Sequence, residues 1–179
     1  MVGVAHAALP GPQFNEAAAW QALSRVLDPE VPVLSVLELG IVRSVTVNAR
    51  GVHVVVTPTY SGCPATEVIQ DDIRTALFNA GASSVHIELQ FAPAWTTDWI
   101  GPAAAEKLRH YGIAPPQAAR TGQTQENAAQ PLRFHPRTLR CPRCESANTE
   151  LLSAFGSTAC KALYRCVACR EPFEYFKPI

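Results

Sequence analysis

The chain has 179 residues, of which 47% are hydrophobic and 17% charged, and this composition excludes wholesale disorder. Its 15 basic and 15 acidic side chains give zero net charge, which argues against a chain built to bind nucleic acid or an anionic membrane. The charge is unevenly divided, because residues 1–130 carry 7 basic and 11 acidic side chains and residues 131–179 carry 8 and 4. Two units with different surfaces are therefore expected.

Two further patterns concern the cell compartment. No apolar run approaches the ~18 residues that a membrane-spanning helix needs. The first basic residue is Arg25, so the charged start of a secretory signal is missing. We therefore expect a cytoplasmic protein with no membrane partner, whose six cysteines do not form disulfides.

Hydrophobic spacing predicts the elements of the first unit. Segments 15–27, 64–80 and 103–111 have the spacing of helices, and segments 41–47, 52–57 and 84–91 have the character of strands. The first two strands are predicted to form a β-hairpin. The order helix–strand–strand–helix–strand predicts a small two-layer α/β domain with a mixed three-stranded sheet, whose strand order stays open.

The domain layout follows from a stretch without large apolar side chains, residues 114–131, which is predicted to be a linker. It separates an α/β domain (14–113), preceded by an N-terminal tail (1–13), from a short cysteine-rich module (132–179). The predicted fold class is α+β, in which the C-terminal module resembles a zinc ribbon.

The strongest chemical motif is a pair of C-x-x-C knuckles, formed by Cys141 with Cys144 and by Cys166 with Cys169. Two such knuckles can give a closed tetrahedral site with four thiolate ligands. Zinc is the expected metal, and iron or an Fe–S cluster also suits four thiolates. Four free thiols or a redox dithiol are the alternatives. Cys160 stands outside the knuckles and is predicted to be a small buried residue, with a labile second-site thiol as the alternative.

The sixth cysteine, Cys63, is predicted to cap the second helix, where the helix dipole favours a thiolate. Asp28 and Glu30 lie in another loop, stiffened by proline, and can act with Cys63 if both loops meet at one end of the sheet. The alternatives are a structural Cys63 and an Asp28 that only forms a turn before Pro29.

Nucleic acid is the weaker partner hypothesis. It rests on a basic stretch leading into the module: Arg133, His135, Arg137, Arg140 and Arg143. The zero net charge argues against it.

Several motifs resemble known families. Asp28-Pro29-Glu30, Glu38–Val42 and Thr57–Pro64 resemble the SufT-like iron–sulfur assembly domain. TPTYSGCPAT (57–66), PAWTTDWI (93–100) and FGSTACKALYRC (155–166) resemble the D-protein family of bacterial phenylacetyl-CoA epoxidase systems. This chain departs from those families in two places. It has Pro178 where members often end in a cysteine, and Glu38 where the assembly domain usually has Asp.

The resemblance implies an accessory protein of the phenylacetyl-CoA epoxidase (ring 1,2-epoxidase) system in phenylacetate degradation. Such a protein would mature or maintain an iron or Fe–S centre of the epoxidase, holding transient iron or Fe–S at Cys63. Its partner would be the oxygenase component, which has a di-iron carboxylate site, or the reductase component, which has a flavin and an Fe–S cluster. A homodimer of the chain is also compatible with this role.

The rival hypothesis is a genuine subunit of the epoxidase monooxygenase. We expect no catalytic residues in the chain, because it lacks the Glu-x-x-His motif of helical di-iron sites.

Overall fold

The computed structural model describes residues 14–117 and 139–179. The predicted tail (1–13) and residues 118–131 of the predicted linker lie outside these ranges. The helices are α1 (Glu16–Leu23), α2 (Ala65–Asn79) and α3 (Pro102–Tyr111). The strands are β1 (Val42–Asn48), β2 (Gly51–Val56), β3 (Val85–Leu89), β4 (Ile113–Ala114), β5 (Thr149–Ser153), β6 (Lys161–Cys166) and β7 (Pro172–Phe176). No helix within the described ranges is long and apolar enough to cross a bilayer.

The first sheet has the order β1-β2-β3, in which β1 and β2 are antiparallel and β2 and β3 are parallel. The predicted mixed three-stranded sheet is therefore confirmed. Helix α1 contacts α2 and β1, and α2 contacts β3, so the helices form the second layer. Alternate residues of β2, namely Val52, Val54 and Val56, are buried in the core.

The hairpin turn depends on Gly51, which has a φ of +123°. A Cβ atom at this position would lie 2.5 Å from the carbonyl oxygen of Ser84. Only glycine adopts this conformation and leaves room for the segment that leads into β3.

Two helix boundaries differ from the prediction. Helix α1 ends at Leu23, because the next amides bond to carbonyls three residues back, Arg25 to Ala22 and Val26 to Leu23. Helix α2 begins at Ala65 with Pro64 as its N-cap. The predicted capping position of Cys63 is therefore wrong by one residue, and Cys63 lies in the loop just before the cap.

The second sheet has the order β4-β7-β6-β5. Strands β5, β6 and β7 form the antiparallel ribbon, which confirms the predicted C-terminal zinc-ribbon-like fold. Strand β4 directly follows α3 and pairs in parallel with β7 through Ile113 and Ala114. The sequence predicts that Ala114 begins the linker, but this residue is buried in the small core of the ribbon. We call residues 139–179 the ribbon.

The ribbon packs directly on the α/β layers. The indole Nε1 of Trp95 donates to the carbonyl oxygen of Leu39 at 2.8 Å, and the Trp95 ring lies 6.0 Å from the Phe176 ring. Phe176 and Cys160 of the ribbon are buried in the same hydrophobic core as the helices and the first sheet. The amide of Thr97 also donates to the carbonyl of Ile179. This packing brings Lys161, at the start of β6, to the backbone carbonyl of Glu30 in the loop that contains Asp28.

Candidate metal sites

The two predicted knuckles meet at one end of the ribbon. Cys141 and Cys144 precede β5, Cys166 ends β6, and Cys169 lies in the turn before β7. Their four sulfur atoms all lie within 4.8 Å of one another. The Sγ–Sγ distance is 3.8 Å between Cys141 and Cys169 and 3.5 Å between Cys144 and Cys166.

These distances fit a four-coordinate metal. Tetrahedral bonds of about 2.3 Å from zinc to sulfur would separate neighbouring sulfur atoms by roughly 3.8 Å. The residue after each knuckle, Glu145 or Arg170, has a positive φ of 60° or 65°. Both knuckles therefore make the same tight turn, and the four thiols suit a thiophilic metal such as zinc or a single iron.

Backbone amides prepare one of these sulfurs to act as a thiolate. The amide of Cys169 donates to Cys166 Sγ at 3.5 Å and lowers the pKa of Cys166 to about 7. The amide of Ser146 is the largest single influence on the pKa of Cys144 and lowers it, but burial and the hydrogen bonds with the other knuckle thiols, Cys166 first, together raise that pKa to about 12. Metal binding would displace the protons that remain on these thiols.

Cys63 lies on the wall of an open surface groove of about 550 Å³ beside the first turn of α2. Exposed apolar side chains of Leu89 and Phe91 line the same groove. A Cβ atom at the neighbouring Gly62 would meet nothing within 4 Å, so the space beside the Gly62 backbone is open. The partly buried Cys63 also packs against the hydrophobic core.

On its inner side Cys63 shares a small cavity with Asp28 and Thr59. The cavity measures about 10 Å³, which is room for about one water molecule. The Asp28 carboxylate accepts hydrogen bonds from the amides of Glu30 and Val31, both at 2.8 Å. Burial nevertheless raises the pKa of Asp28. The two loops singled out in the sequence thus meet.

Glu30 extends this site toward the ribbon. Burial and then the neighbouring Asp28 charge raise the pKa of Glu30. Its backbone carbonyl accepts a hydrogen bond at 3.2 Å from the ammonium group of Lys161, the first residue of β6. Lys161 directly follows Cys160, so this bond fixes the position of Cys160 relative to the Glu30 loop.

Cys160 is 4% exposed, which agrees with the expectation of a buried residue. Its sulfur lies 3.0 Å from the Thr158 hydroxyl. Burial is the main cause of its raised pKa, and the charges of Glu30 and Cys63 raise it further. Cys160 is part of the hydrophobic core against which Cys63 packs.

Tyr60 is the residue of this region that sequence reasoning missed. Burial raises the pKa of its hydroxyl, and so do the charges of Cys63, Glu30 and Cys160. In the sequence, Tyr60 is marked only by its position three residues before Cys63, in a loop flanked by prolines. That position does not predict the charged neighbours that Tyr60 has in the fold. We call the following five residues the junction cluster: Asp28, Glu30, Tyr60, Cys63 and Cys160.

Glu38 begins one of the motifs that resemble the iron–sulfur assembly domain, but it does not belong to the junction cluster. Its carboxylate accepts hydrogen bonds at 3.0 Å from the amide and the hydroxyl of Ser35, and it forms an ion pair with Lys107 of α3. Burial raises the Glu38 pKa, but these partners outweigh it and lower the pKa overall. Glu38 therefore fixes the loop before β1 against α3.

Two known families match different parts of the chain. Residues 16–89 match a family described as "Iron-sulfur cluster assembly protein", and residues 125–177 match a family described as "PaaD zinc beta ribbon domain". The first match contains Asp28, Glu30 and Cys63. The second contains Cys160 and all four knuckle cysteines.

Curated relatives match either nearly the whole chain or slightly less than half of it. The chain is 51% identical to an Escherichia coli (strain K12) protein named "Putative 1,2-phenylacetyl-CoA epoxidase" and designated its D subunit, over 97% of this chain and 98% of that protein. It is 39% identical to a Porphyromonas gingivalis Fe-S protein maturation auxiliary factor over 48% of this chain and 83% of that protein. A Bacillus subtilis factor of the same description is 33% identical over 43% and 76%.

Proposed function

The chain belongs to the family of the Escherichia coli epoxidase D protein, and from this premise we propose that it matures or maintains an iron centre of a phenylacetyl-CoA epoxidase. In this proposal it is an accessory protein of phenylacetate degradation that acts in the cytoplasm. The iron–sulfur assembly family match and the two Fe-S maturation relatives support this role.

The observation that carries the proposal is the position of Cys63. Its side chain borders an open groove on one face and a carboxylate-containing cavity on the other. A thiol in this position can receive iron or an Fe–S cluster as cargo and present it to a client protein that docks in the groove. The apolar Leu89 and Phe91 beside the groove supply contact area for the oxygenase or reductase component.

The four-cysteine site has a different role in this proposal. Its sulfur geometry fits a resident zinc ion, held by Cys141, Cys144, Cys166 and Cys169. A closed site with four protein ligands keeps no open position for chemistry, so the metal would stabilise the ribbon. The folded ribbon then keeps Cys160 and Lys161 against the α/β layers.

The experiment compares epoxidase components made in cells that carry wild-type chain, Cys63→Ala or no chain. We expect the wild-type chain alone to give fully loaded oxygenase and reductase, and the other two cells to give folded components short of iron. Growth on phenylacetate should fall with the iron content. Full iron loading with Cys63→Ala would contradict the proposed role of Cys63.

The relative's name favours a second candidate, a true subunit of the epoxidase. A maturation factor is needed only before turnover, whereas a component of the enzyme is needed throughout turnover. Epoxidase loaded in wild-type cells and then purified free of this chain should therefore keep its turnover rate. A rate that is restored only by stoichiometric addition of the chain would instead establish the subunit role.

A further inference from the structure

We propose that the client of this chain docks by adding an extended strand to the open edge of β3, with a basic side chain that pairs with Glu67 in the groove beside Cys63. The inference rests on the proposed function and deepens it, because it gives the shape and the charge of the client segment. Such a segment would lead from the sheet edge into the groove that Cys63 borders.

The first support is the free backbone edge of β3. This strand pairs with β2 on one side, and no strand in the part of the chain that the structure describes pairs with its other side. The carbonyl of Ser84 and the amide of Gln90 both bond to β2. Because backbone groups alternate in direction along a strand, those of Val85, Ile87 and Leu89 point away from β2. A further strand can bond to all three residues.

Strand β3 lacks features by which natural proteins block an open edge. Its residues Val85–Leu89 include no proline and no lysine, and they pair with β2 in continuous register without a bulge. The carboxylate of Glu88 lies 3.1 Å from the imidazole of His53, so this charge is held over β2. The outer edge of β3 is therefore open to a partner.

The second support is the apolar groove at the end of this edge. Leu89 is 37% exposed and Phe91 is 55% exposed, and both line the groove of about 550 Å³ that Cys63 borders. An added strand directs every second side chain to one face of the sheet. In this mode of binding, backbone hydrogen bonds supply affinity and the groove selects the side chains. Apolar side chains of the client would cover Leu89 and Phe91.

The third support is the charge of the groove. Among the residues that line the groove, Glu67 has the only carboxylate, and none of them is basic. Glu67 is exposed and has no ion-pair partner among the described residues, whereas Asp71, one turn further along α2, pairs with Arg74. A lysine or arginine of the client would therefore complement Glu67.

This charge favours a client protein over a second copy of the chain. Two copies can pair their β3 edges, but β3 and its flanks, residues 81–94, contain no lysine or arginine that would pair with Glu67. The occupant is therefore a client segment with apolar side chains at alternate positions and a basic side chain near the end that enters the groove.

The first test is amide hydrogen exchange of the full isotope-labelled chain, measured by NMR. The probes are the oxygenase and reductase components of the epoxidase, each purified from cells that lack this chain. In the free chain we expect slow exchange at His86 and Glu88, whose amides bond to β2, and fast exchange at Val85, Ile87 and Leu89. A bound client strand should slow exchange of the latter three amides by at least about tenfold.

A pair of variants at Leu89 tests the backbone bond. Leu89→Pro removes the outward N–H, and edge strands tolerate proline at such a position. Leu89→Ala is the matched control, because it removes the same side chain and keeps the N–H. We expect Leu89→Pro to bind the client at least about fivefold more weakly than Leu89→Ala. Thermal midpoints show whether both variants are folded.

A second pair tests the charge and does not depend on the folding of Leu89→Pro. Glu67→Lys reverses the charge of the groove, and Asp72→Lys makes the same change on the exposed surface of α2 outside the groove. Only Glu67→Lys should weaken client binding, by at least about threefold, and the loss should shrink at high salt. Equal binding by the two variants would overturn the basic side chain of the client.

The remaining outcomes separate this inference from the function on which it rests. Binding of a component without slower exchange at the outward amides of β3, or equal binding by folded Leu89→Pro and Leu89→Ala, overturns strand addition and leaves the proposed function intact. Slower exchange in the chain alone, at concentrations where it dimerises, assigns the edge to a second copy and overturns the client segment. Failure of both components to bind overturns the inference and the proposed function together.

Discussion

The ammonium group of Lys161 lies 2.8 Å from the Glu174 carboxylate, and only 3% of the Lys161 side chain is exposed. Both residues belong to the ribbon, yet the same ammonium group donates to the Glu30 carbonyl in the α/β region. Glu174 also accepts a hydrogen bond from the amide of Ser157 at 2.7 Å. This buried ion pair therefore holds the ribbon together and fixes it on the Glu30 loop.

Removing the Glu174 charge should destabilise the chain strongly. Glu174→Gln keeps the shape of the side chain and removes the ion-pair partner of the buried Lys161 charge, which costs about 3 kcal/mol. The control is Glu150→Gln, which breaks the exposed ion pair with Arg165 on the same ribbon and should cost at most about 1 kcal/mol. Denaturant unfolding of the metal-loaded variants measures the difference. Equal costs for the two substitutions would contradict this prediction.

The same pair should make stability depend on pH. Burial raises the pKa of Glu174, but hydrogen bonds from Lys161 and Ser157 outweigh burial and lower the pKa overall. A carboxyl group with a lowered folded-state pKa stabilises the fold above its ordinary pKa, and this contribution is lost as pH falls through the folded pKa. The loss begins below about pH 4.5, the ordinary value. Glu174→Gln should therefore flatten this acid limb, and an unchanged slope would show that Glu174 does not contribute.

Cys144→Ser should remove the metal from the four-cysteine site. Binding free energy of order 10 kcal/mol is also folding free energy in such small modules, so residues 139–179 should unfold with the loss. Metal content and the near-ultraviolet circular dichroism of the full chain report the two effects. Cys63→Ser is the control, since it should keep the ribbon metal. Normal metal content in Cys144→Ser would rule out a four-thiolate site.

Alanine should destabilise the fold at one glycine and be tolerated at another. Gly51→Ala places a Cβ atom 2.5 Å from the Ser84 carbonyl at a φ of +123°, and we expect a loss of about 1–3 kcal/mol. Gly62→Ala adds a methyl group in open space and should change stability by no more than about 0.5 kcal/mol. Thermal or denaturant unfolding compares them. A neutral Gly51→Ala would mean that the hairpin can relax away from β3.

Local pattern was enough to predict the knuckles and the first sheet. The C-x-x-C spacing places two thiols in one turn, and the valine-rich alternation of β2 follows directly from one buried face. The meeting of the Asp28 and Cys63 loops was a conditional expectation. It holds because both loops border the same small cavity.

Long-range contacts were not predictable in this way. Strand β4 is two residues long, so Ile113 and Ala114 have no periodicity that could reveal their pairing with β7. Cys160 could be expected to be buried, but its neighbours depend on how the ribbon packs through Phe176 and Lys161. Nothing in the local sequence of β6 specifies that the ammonium group of Lys161 reaches the Glu30 carbonyl.

Strand β4 also gives the ribbon a direction of assembly. On the ribosome Ile113 and Ala114 are made before any of β5, β6 and β7, already anchored by contacts with α3. Strand β7 is synthesised last of these strands, and it can then pair with β4 on one side and with β6 on the other. A ribbon produced without β4 would leave an unpaired edge along β7, which favours self-association.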